Sequence, residues 1–288
     1  MFEGTYQVLS YGFLVRTSVD AFARAVERTL AGFAADDAEV ASTYRLVRGR
    51  RAPRFRLLID GRQLRSSQST AGAAEHLLWH VMRSAIETTP NQLLIHAGVV
   101  GGADGVVLLP GPSGCGKTTL VARLVGAGYR FLSDEIAVLD PAAGLVRPFP
   151  RALSVRPGML ELIELPAGLR MSAKDAGVMV PPEALRPGGV GTAGTPQLVI
   201  SPSYESGSET RLEEVSSSQA VAMLASHAFN LESFGRRALI VLGDFVRGAR
   251  CYRLRYGDVA DAVRQVERLV RPPDQVGAAG PNARRETT

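Results

Sequence analysis

The stretch Gly111-Pro112-Ser113-Gly114-Cys115-Gly116-Lys117-Thr118 decides how the centre of this chain folds. It follows an apolar run at residues 106–109 and precedes a segment, residues 119–125, whose apolar residues recur at helical spacing. The stretch matches the pattern G-x-x-x-x-G-K-[ST] between a predicted strand and a predicted helix, the context that gives this pattern its meaning. The sequence therefore predicts a phosphate-binding loop at the start of a helix.

Each residue type in this loop has a physical role. The glycines let the loop curl so that backbone N–H groups point at an anion, and the positive end of the following helix faces the same point. Lys117 is predicted to bind the β- and γ-phosphates of ATP, and the Thr118 hydroxyl is predicted to bind Mg²⁺. Helical spacing favours the helix surface for the Thr119 side chain. The predicted nucleotide-binding residues are Gly111, Ser113, Gly114, Cys115, Gly116, Lys117, Thr118 and Thr119.

Composition indicates an ordinary globular protein, because 45% of the 288 residues are hydrophobic and 21% are charged. No apolar run approaches the ~20 residues that a membrane span needs, and the first residues lack the basic start of a secretion signal. The two cysteines, Cys115 and Cys251, do not suggest a disulfide framework. We therefore expect a cytoplasmic protein without a membrane partner.

The net charge is +5, and arginines are concentrated between Arg45 and Arg65. They alternate with apolar residues such as Leu46, Val47 and Leu57, a pattern typical of the solvated face of a sheet. Nucleic acid is therefore an unfavoured partner. An acidic peptide fits somewhat better, because arginine clusters also bind carboxylates and phosphates.

Residues 1–90 are predicted to form a small α/β module for binding or assembly. Strands are expected at residues 8–16, 42–47 and 54–59, with a helix over residues 71–87. His76 and His80 stand one helical turn apart, a spacing that can bind metal. We predict no metal site there, because no nearby residue supplies the missing ligands.

Beyond Pro90 the pattern predicts a β-hairpin, residues 93–100 and 106–109, that leads into the loop. His96 lies on the hairpin strand that pairs with the one delivering the loop, which makes it a candidate for the site. Asp134 and Glu135 follow a predicted strand, where an α/β sheet places its ligands. Asp140 is assigned to a turn because Pro141 follows it.

His96 in Leu-Ile-His-Ala-Gly-Val-Val, the hairpin, the loop and Ser133-Asp134-Glu135 together resemble HPr kinase/phosphorylase. The sequence looks most similar to the HPr-kinase-related kinases found with ribosomal and lasso peptide biosynthesis. The close resemblance covers residues 96–156. A looser similarity extends to residues 251–254.

This resemblance implies a nucleotide-binding core of the HPr kinase and phosphoenolpyruvate carboxykinase type, acting as an ATP-dependent serine kinase. It implies that His96 and Asp134 act on the acceptor proton and that Glu135 supports the site or its Mg²⁺. Homo-oligomers are also an expectation from the family. The family carries the signature Glu-(Ile/Val)-Arg-Gly after its second strand, whereas this chain has Pro150-Arg151-Ala152-Leu153-Ser154-Val155-Arg156-Pro157-Gly158. This departure puts phosphorylase activity and HPr recognition in doubt.

The rest of the chain completes a predicted kinase domain over residues 91–270. Residues 166–195 are rich in Pro and Gly and predict a long surface segment that closes over substrate or stays mobile. Arg211 and Arg236 are candidate phosphate contacts, although surface positions are the simpler interpretation. Residues 271–288 are predicted to form a disordered tail.

The predicted function is transfer of the γ-phosphoryl group of ATP, with Mg²⁺, to a seryl hydroxyl of a peptide or protein, such as a biosynthetic precursor peptide. Asp134, His96 and Lys117 are the predicted catalytic residues, with Thr118 and Glu135 at the metal. Two alternatives remain open. One is an ATP-binding regulatory or scaffold module without catalysis, and the other is a kinase of a small hydroxyl compound.

Overall fold

The structure, a computed structural model, describes residues 1–163 and 178–271. Strands and helices mix throughout these residues, which confirms the predicted α/β class. The N-terminal strands form one five-stranded sheet in sequence order: β1 (Phe2–Val8), β2 (Tyr11–Thr17), β3 (Ser42–Arg48), β4 (Phe55–Ile59) and β5 (Arg62–Ser67). Helices α1 (Asp20–Leu30) and α2 (Thr70–Glu87) pack against this sheet. The side chain of Ser69 caps α2 by accepting a hydrogen bond from the Gly72 N–H.

The single strand predicted at residues 8–16 is wrong. Two strands, β1 and β2, form an antiparallel hairpin there, with Val8 paired with Tyr11. Leu9 takes a positive φ of 54° in the tight turn, a conformation that an apolar residue rarely adopts. Because Leu9 is not a typical turn residue, the alternation of apolar and polar residues continues across the turn, and the sequence does not mark the turn.

The second sheet carries the predicted hairpin and the glycine-rich loop. Its strands are β6 (Leu93–Gly101), β7 (Val106–Pro110), β8 (Arg130–Ser133), β9 (Ile136–Asp140), β10 (Leu145–Arg147), β13 (Pro196–Tyr204), β14 (Arg211–Glu214) and β15 (Arg250–Tyr256). Their order in the sheet is β10, β9, β6, β7, β13, β15, β14, and β8 also pairs with β6. The central strands β7, β13 and β15 run parallel, whereas the flanking pairs are antiparallel.

Helices cover both faces of this sheet. Helices α3 (Lys117–Gly126) and α8 (Val259–Leu269) share an apolar core on one face, and α5 (Ser217–Ser226) and α7 (Arg237–Val246) share a core on the other. A short helix, α6 (Leu231–Phe234), precedes α7, and Gly235 between them has a φ of 54°. At Gly98 the strand β6 approaches α3 so closely that a Cβ atom would lie 2.6 Å from Val121 Cγ2.

Smaller elements border the site. Strands β11 (Leu153–Val155) and β12 (Val178–Val180) pair as an antiparallel ribbon, followed by the four-residue helix α4 (Pro182–Leu185). A 3₁₀ helix spans Pro157–Leu162. Residues 164–177 of the predicted surface segment and residues 272–288 of the predicted tail lie outside the described residues.

The two sheets share an apolar core. Leu94, Ile136, Val138 and Phe149 pack in the same cluster as side chains of the first sheet and of α1 and α2. The proposed domain boundary at residue 90 therefore stays a prediction. Among the described residues, no helix combines the length and apolar character needed to cross a membrane.

Candidate active site

The glycine-rich loop joins the end of β7 to the start of α3. Gly114 and Gly116 take φ values of 88° and 99°, in the left-handed region that favours glycine. A side chain at position 116 would also collide with the Tyr256 hydroxyl. Gly116 caps α3 without a side-chain hydrogen bond, so the first N–H groups of this helix are available to an anion.

Lys117 is buried at the base of the loop. Its side chain folds back, and Nζ donates to the carbonyl oxygens of Gly111 and Pro112, each at 2.8 Å. Burial lowers the pKa of the ammonium group, while Cys115, Glu135 and Asp134 oppose this shift. The charge is thus held inside the loop by backbone carbonyls.

Asp134 is the most deeply buried carboxylate near the loop, with 3% of the residue exposed. Its Oδ2 atom lies 3.4 Å from the Thr118 hydroxyl, and its buried Oδ1 atom has no hydrogen-bond partner among the described residues. Burial raises the pKa of Asp134 to about 6, and the charge of Arg151 acts in the opposite direction. A buried oxygen without a partner is costly, so Oδ1 is a candidate for contact with a ligand.

Glu135 turns toward a different set of partners. Its Oε2 accepts a hydrogen bond from Arg151 Nη2 at 3.1 Å, and its Oε1 lies 3.7 Å from His96 Nε2. Arg151 is 9% exposed, and its Nε atom has no hydrogen-bond partner among the described residues. The tight turn between β8 and β9 orients both carboxylates, because the Ser133 hydroxyl accepts hydrogen bonds from the N–H groups of Glu135 and Ile136.

His96 lies on β6 beside these carboxylates. Burial and the charge of Lys117 lower its pKa, while Glu135 raises it less strongly. The net effect favours a neutral imidazole at pH 7. The backbone carbonyl of His227 accepts a hydrogen bond from the backbone N–H of His96 at 2.8 Å. Burial and the charge of Lys117 also lower the pKa of the His227 side chain.

His96, Lys117, Asp134 and Glu135 line one cavity of about 490 Å³, and Arg151 and His227 lie outside its lining. This volume is in the range of small-molecule sites. Apolar and aromatic side chains also form part of its wall, including Met159, Tyr204 and Tyr256. Tyr256 donates to the Gly116 carbonyl at 3.3 Å, so β15 is tied to the loop. The lining residues are His96, Ser113, Gly114, Gly116, Lys117, Thr118, Thr119, Asp134, Glu135, Ser154, Val155, Arg156, Met159, Leu162, Tyr204, Tyr256, Gly257, Asp258 and Val259.

The structure brings together most of the predicted site residues. His96, Lys117, Asp134 and Glu135 share the cavity with the loop residues Ser113, Gly114, Gly116, Thr118 and Thr119. Thr119 is 9% exposed, so the expected surface position of its side chain is wrong. Gly111 and Cys115 do not line the cavity, although Gly111 binds Lys117 through its carbonyl oxygen.

Two predicted phosphate contacts lie elsewhere. Arg211 is paired with Glu209, with 68% of its side chain exposed, and does not line the cavity. Arg236 is an exposed residue at the start of α7 and does not line it either. The predicted metal residues are also split, since Thr118 lies beside Asp134 while Glu135 faces Arg151 and His96.

Sequence reasoning missed Arg151, Ser154, Tyr204 and Tyr256 as site residues. The backbone N–H of Ser154 lowers the pKa of Asp134, and Tyr204 and Tyr256 pack edge to face at 5.7 Å between ring centroids. The one local signal was an arginine, Arg151, in the strand-rich stretch that follows the carboxylate pair. The two tyrosines follow the loop by about a third of the chain or more, and no sequence pattern linked them to the site.

One histidine of the pair on α2 contacts the N-terminal core. His80 Nδ1 lies 2.7 Å from the Tyr44 hydroxyl, a hydrogen bond within the N-terminal core. Among the described residues, no group of three or more His, Cys, Asp or Glu side chains could hold a metal ion.

Comparison with known proteins adds no family assignment. No protein-family model matches the chain, and a search of curated proteins finds no match. Function must therefore be argued from the site itself.

Proposed function

We propose that this protein is an ATP-dependent kinase that transfers the γ-phosphoryl group to a seryl hydroxyl of a peptide or protein. One observation carries the proposal. The buried carboxylate of Asp134, with an oxygen lacking a partner, lines the same cavity as Lys117 and the glycine-rich loop. A phosphate-binding loop alone would suit any nucleotide-binding protein, whereas a facing acid suits a transfer reaction.

The loop residues fit the triphosphate of ATP. The left-handed glycines and the uncapped start of α3 expose several N–H groups, and Lys117 provides a cation at the same place. Exchanging its two carbonyl partners for phosphate oxygens would place the Lys117 ammonium against negatively charged acceptors, which attract it more strongly than neutral carbonyls do. The core would then belong to the nucleotide-binding type that the loop motif implies.

The residues also fit Mg²⁺. The Thr118 hydroxyl and Asp134 Oδ2 lie 3.4 Å apart and supply oxygen donors, which this hard cation prefers. Glu135, whose side chain is 36% exposed, is a further donor on the cavity wall. When bound, Mg²⁺ would neutralise charge on the phosphate oxygens.

Asp134 and its neighbours would then act on the acceptor. Oδ2 faces Thr118, which leaves the unpartnered Oδ1 to take the proton of the seryl hydroxyl as its oxygen bonds to the γ-phosphorus and ADP leaves. With a pKa of about 6, Asp134 is mainly ionised at pH 7 and can accept this proton. Neutral His96, beside Glu135, is placed to orient the acceptor hydroxyl.

The test is incubation of the protein with Mg²⁺, ATP and serine-containing peptides, followed by mass spectrometry. Asp134→Asn should abolish the phosphate mass increment while ATP binding persists. Glu135→Gln, a matched change at the neighbouring acid, should lower the rate less. ATP binding without transfer to any peptide or small alcohol would favour the alternative of a non-catalytic regulatory module. Transfer to a small alcohol alone would favour the small-molecule kinase.

A further inference from the structure

We infer that the N-terminal sheet carries a docking surface for an extended acidic polypeptide segment, separate from the cavity. The open face of this sheet bears Arg16, Arg45 and Arg56, with Leu14, Val47 and Leu58 between them. We call this set the arginine face. Strand β5, at the edge of the same sheet, carries Arg62 and Arg65 on the opposite face, because they pair with Ile59 and Leu57.

The segment that contains most of this surface is strongly positive. Residues 41–67 contain eight arginines and one carboxylate, Asp60, so their net charge exceeds the +5 of the whole chain. The carboxylate of Asp60 binds the backbone, because its Oδ1 accepts a hydrogen bond from the Thr43 N–H at 2.8 Å. The eight arginines (45, 48, 50, 51, 54, 56, 62 and 65) are all exposed and form no ion pair within the described residues.

Register places the arginine side chains close together. Arg45 is paired with Arg16 on β2 and with Leu58 on β4, while Arg56 is paired with Val47. Arg45 and Arg56 are therefore diagonal neighbours on one face, a separation of roughly 7–8 Å that long side chains span. Arg16 is partly neutralised by Glu3, at 2.9 Å, so Arg45 and Arg56 are the free cations of the face.

The apolar residues of this face are not covered. Leu14, Val47 and Leu58 are half-buried and belong to none of the three apolar cores of the described residues. The opposite face, in contrast, packs against α1 and α2. A partner with both carboxylates and aliphatic side chains would match this alternation better than water does.

The sheet edge favours an extended polypeptide over nucleic acid. β5 is the last strand of its sheet, and its outer backbone edge pairs with no described strand. Such an edge binds an added strand through main-chain hydrogen bonds. A second copy of β5 would bring arginine against arginine. A strand with carboxylates on both of its faces would meet Arg62 and Arg65 on one side of the sheet and Arg56 on the other. This inference does not depend on the kinase proposal.

The test uses fluorescence anisotropy with the full chain and a labelled peptide, acetyl-(Glu-Glu-Val)₃-amide, whose glutamates occupy both faces of a strand, without nucleotide. Binding should weaken as salt rises. Arg62→Gln/Arg65→Gln and Arg45→Gln/Arg56→Gln should each weaken binding at least tenfold. The matched control Arg24→Gln/Arg28→Gln removes two exposed arginines from α1 and should change it less than twofold. Circular dichroism on every variant checks the fold.

Three outcomes would overturn the inference. Equal losses in the control and in the arginine variants would show a general charge effect. Equal affinity for the peptide with two valines replaced by proline would exclude strand pairing, because proline lacks the N–H group. Tighter binding of a twenty-nucleotide oligo-dT that displaces the peptide would assign the surface to nucleic acid. Because no step uses ATP, failure of phosphoryl transfer would leave this result unaffected.

Discussion

The cavity and the arginine face both depend on charged side chains, but in opposite settings. Lys117 and Asp134 in the cavity, and Arg151 beside it, are each less than a tenth exposed and lie close to opposite charges or backbone dipoles. On the arginine face Arg45 and Arg56 are exposed and form no ion pair with any residue that the structure describes. Charges interact strongly where water is excluded and weakly where it screens them. The cavity is therefore suited to chemistry, and the arginine face to reversible docking.

The largest difference between the regions should appear in phosphoryl transfer. Asp134→Asn removes the proton acceptor but keeps the shape of the side chain, so the rate should fall by about 10²–10⁴-fold. The Arg45→Gln/Arg56→Gln variant should retain the wild-type rate toward a short serine peptide that lacks acidic residues. Single-turnover assays with radiolabelled ATP measure both. A fall in both variants would mean that the two regions are not separate.

The next effect is a pH-dependent change in stability. Asp134 has a raised pKa in the folded state, about 6 against 3.8 when unfolded, so its contribution to stability is greatest below pH 4 and is lost as the pH rises through 6. Asn does not titrate. The free energy of unfolding of Asp134→Asn minus that of the wild type should therefore increase by up to about 3 kcal/mol from pH 4 to pH 8.

Urea denaturation at both pH values gives this difference. Asp244→Asn, at an exposed carboxylate paired with Arg247, is the matched control and should show little pH dependence. A difference between wild type and Asp134→Asn that is constant with pH would show that Asp134 is solvated rather than buried.

A smaller effect is expected from the buried arginine. Arg151→Met leaves Glu135 without its ion-pair partner and removes the cation that lowers the pKa of Asp134. This substitution should lower the free energy of unfolding by about 1–3 kcal/mol. Breaking a fully buried ion pair would cost more, but Glu135 is partly exposed. Arg211→Met breaks the exposed Glu209 pair and should cost under about 0.5 kcal/mol. Similar values for both would mean that burial does not distinguish them.

The smallest effect should come from the arginine face itself. Arg45→Gln/Arg56→Gln should change the free energy of unfolding by no more than about 0.5 kcal/mol, because neither side chain has a partner to lose. Relief of repulsion between these neighbours gives the change a stabilising sign at low salt. Urea denaturation at low and high salt measures it. A loss above 1 kcal/mol would show that these arginines support the fold, contrary to the docking inference.

Local patterns predicted the parts of the site that are local in sequence. The loop, the hairpin with His96 and the acid pair after β8 each occupy a few consecutive residues with a characteristic spacing. Arg151 reaches Glu135 across 16 residues, and Tyr256 reaches Gly116 across 140. No periodicity encodes such contacts, because they arise only when strands become neighbours in the sheet. The burial that raises the pKa of Asp134 depends on the same packing.

Isothermal titration calorimetry with ATP and Mg²⁺ tests most directly the claim that the loop and Asp134 face one ligand. The wild type and Asp134→Asn should both bind ATP, and Lys117→Met should bind at least tenfold more weakly, because it removes the cation at the phosphates. Absence of ATP binding by the wild type, or unchanged affinity in Lys117→Met, would contradict the account.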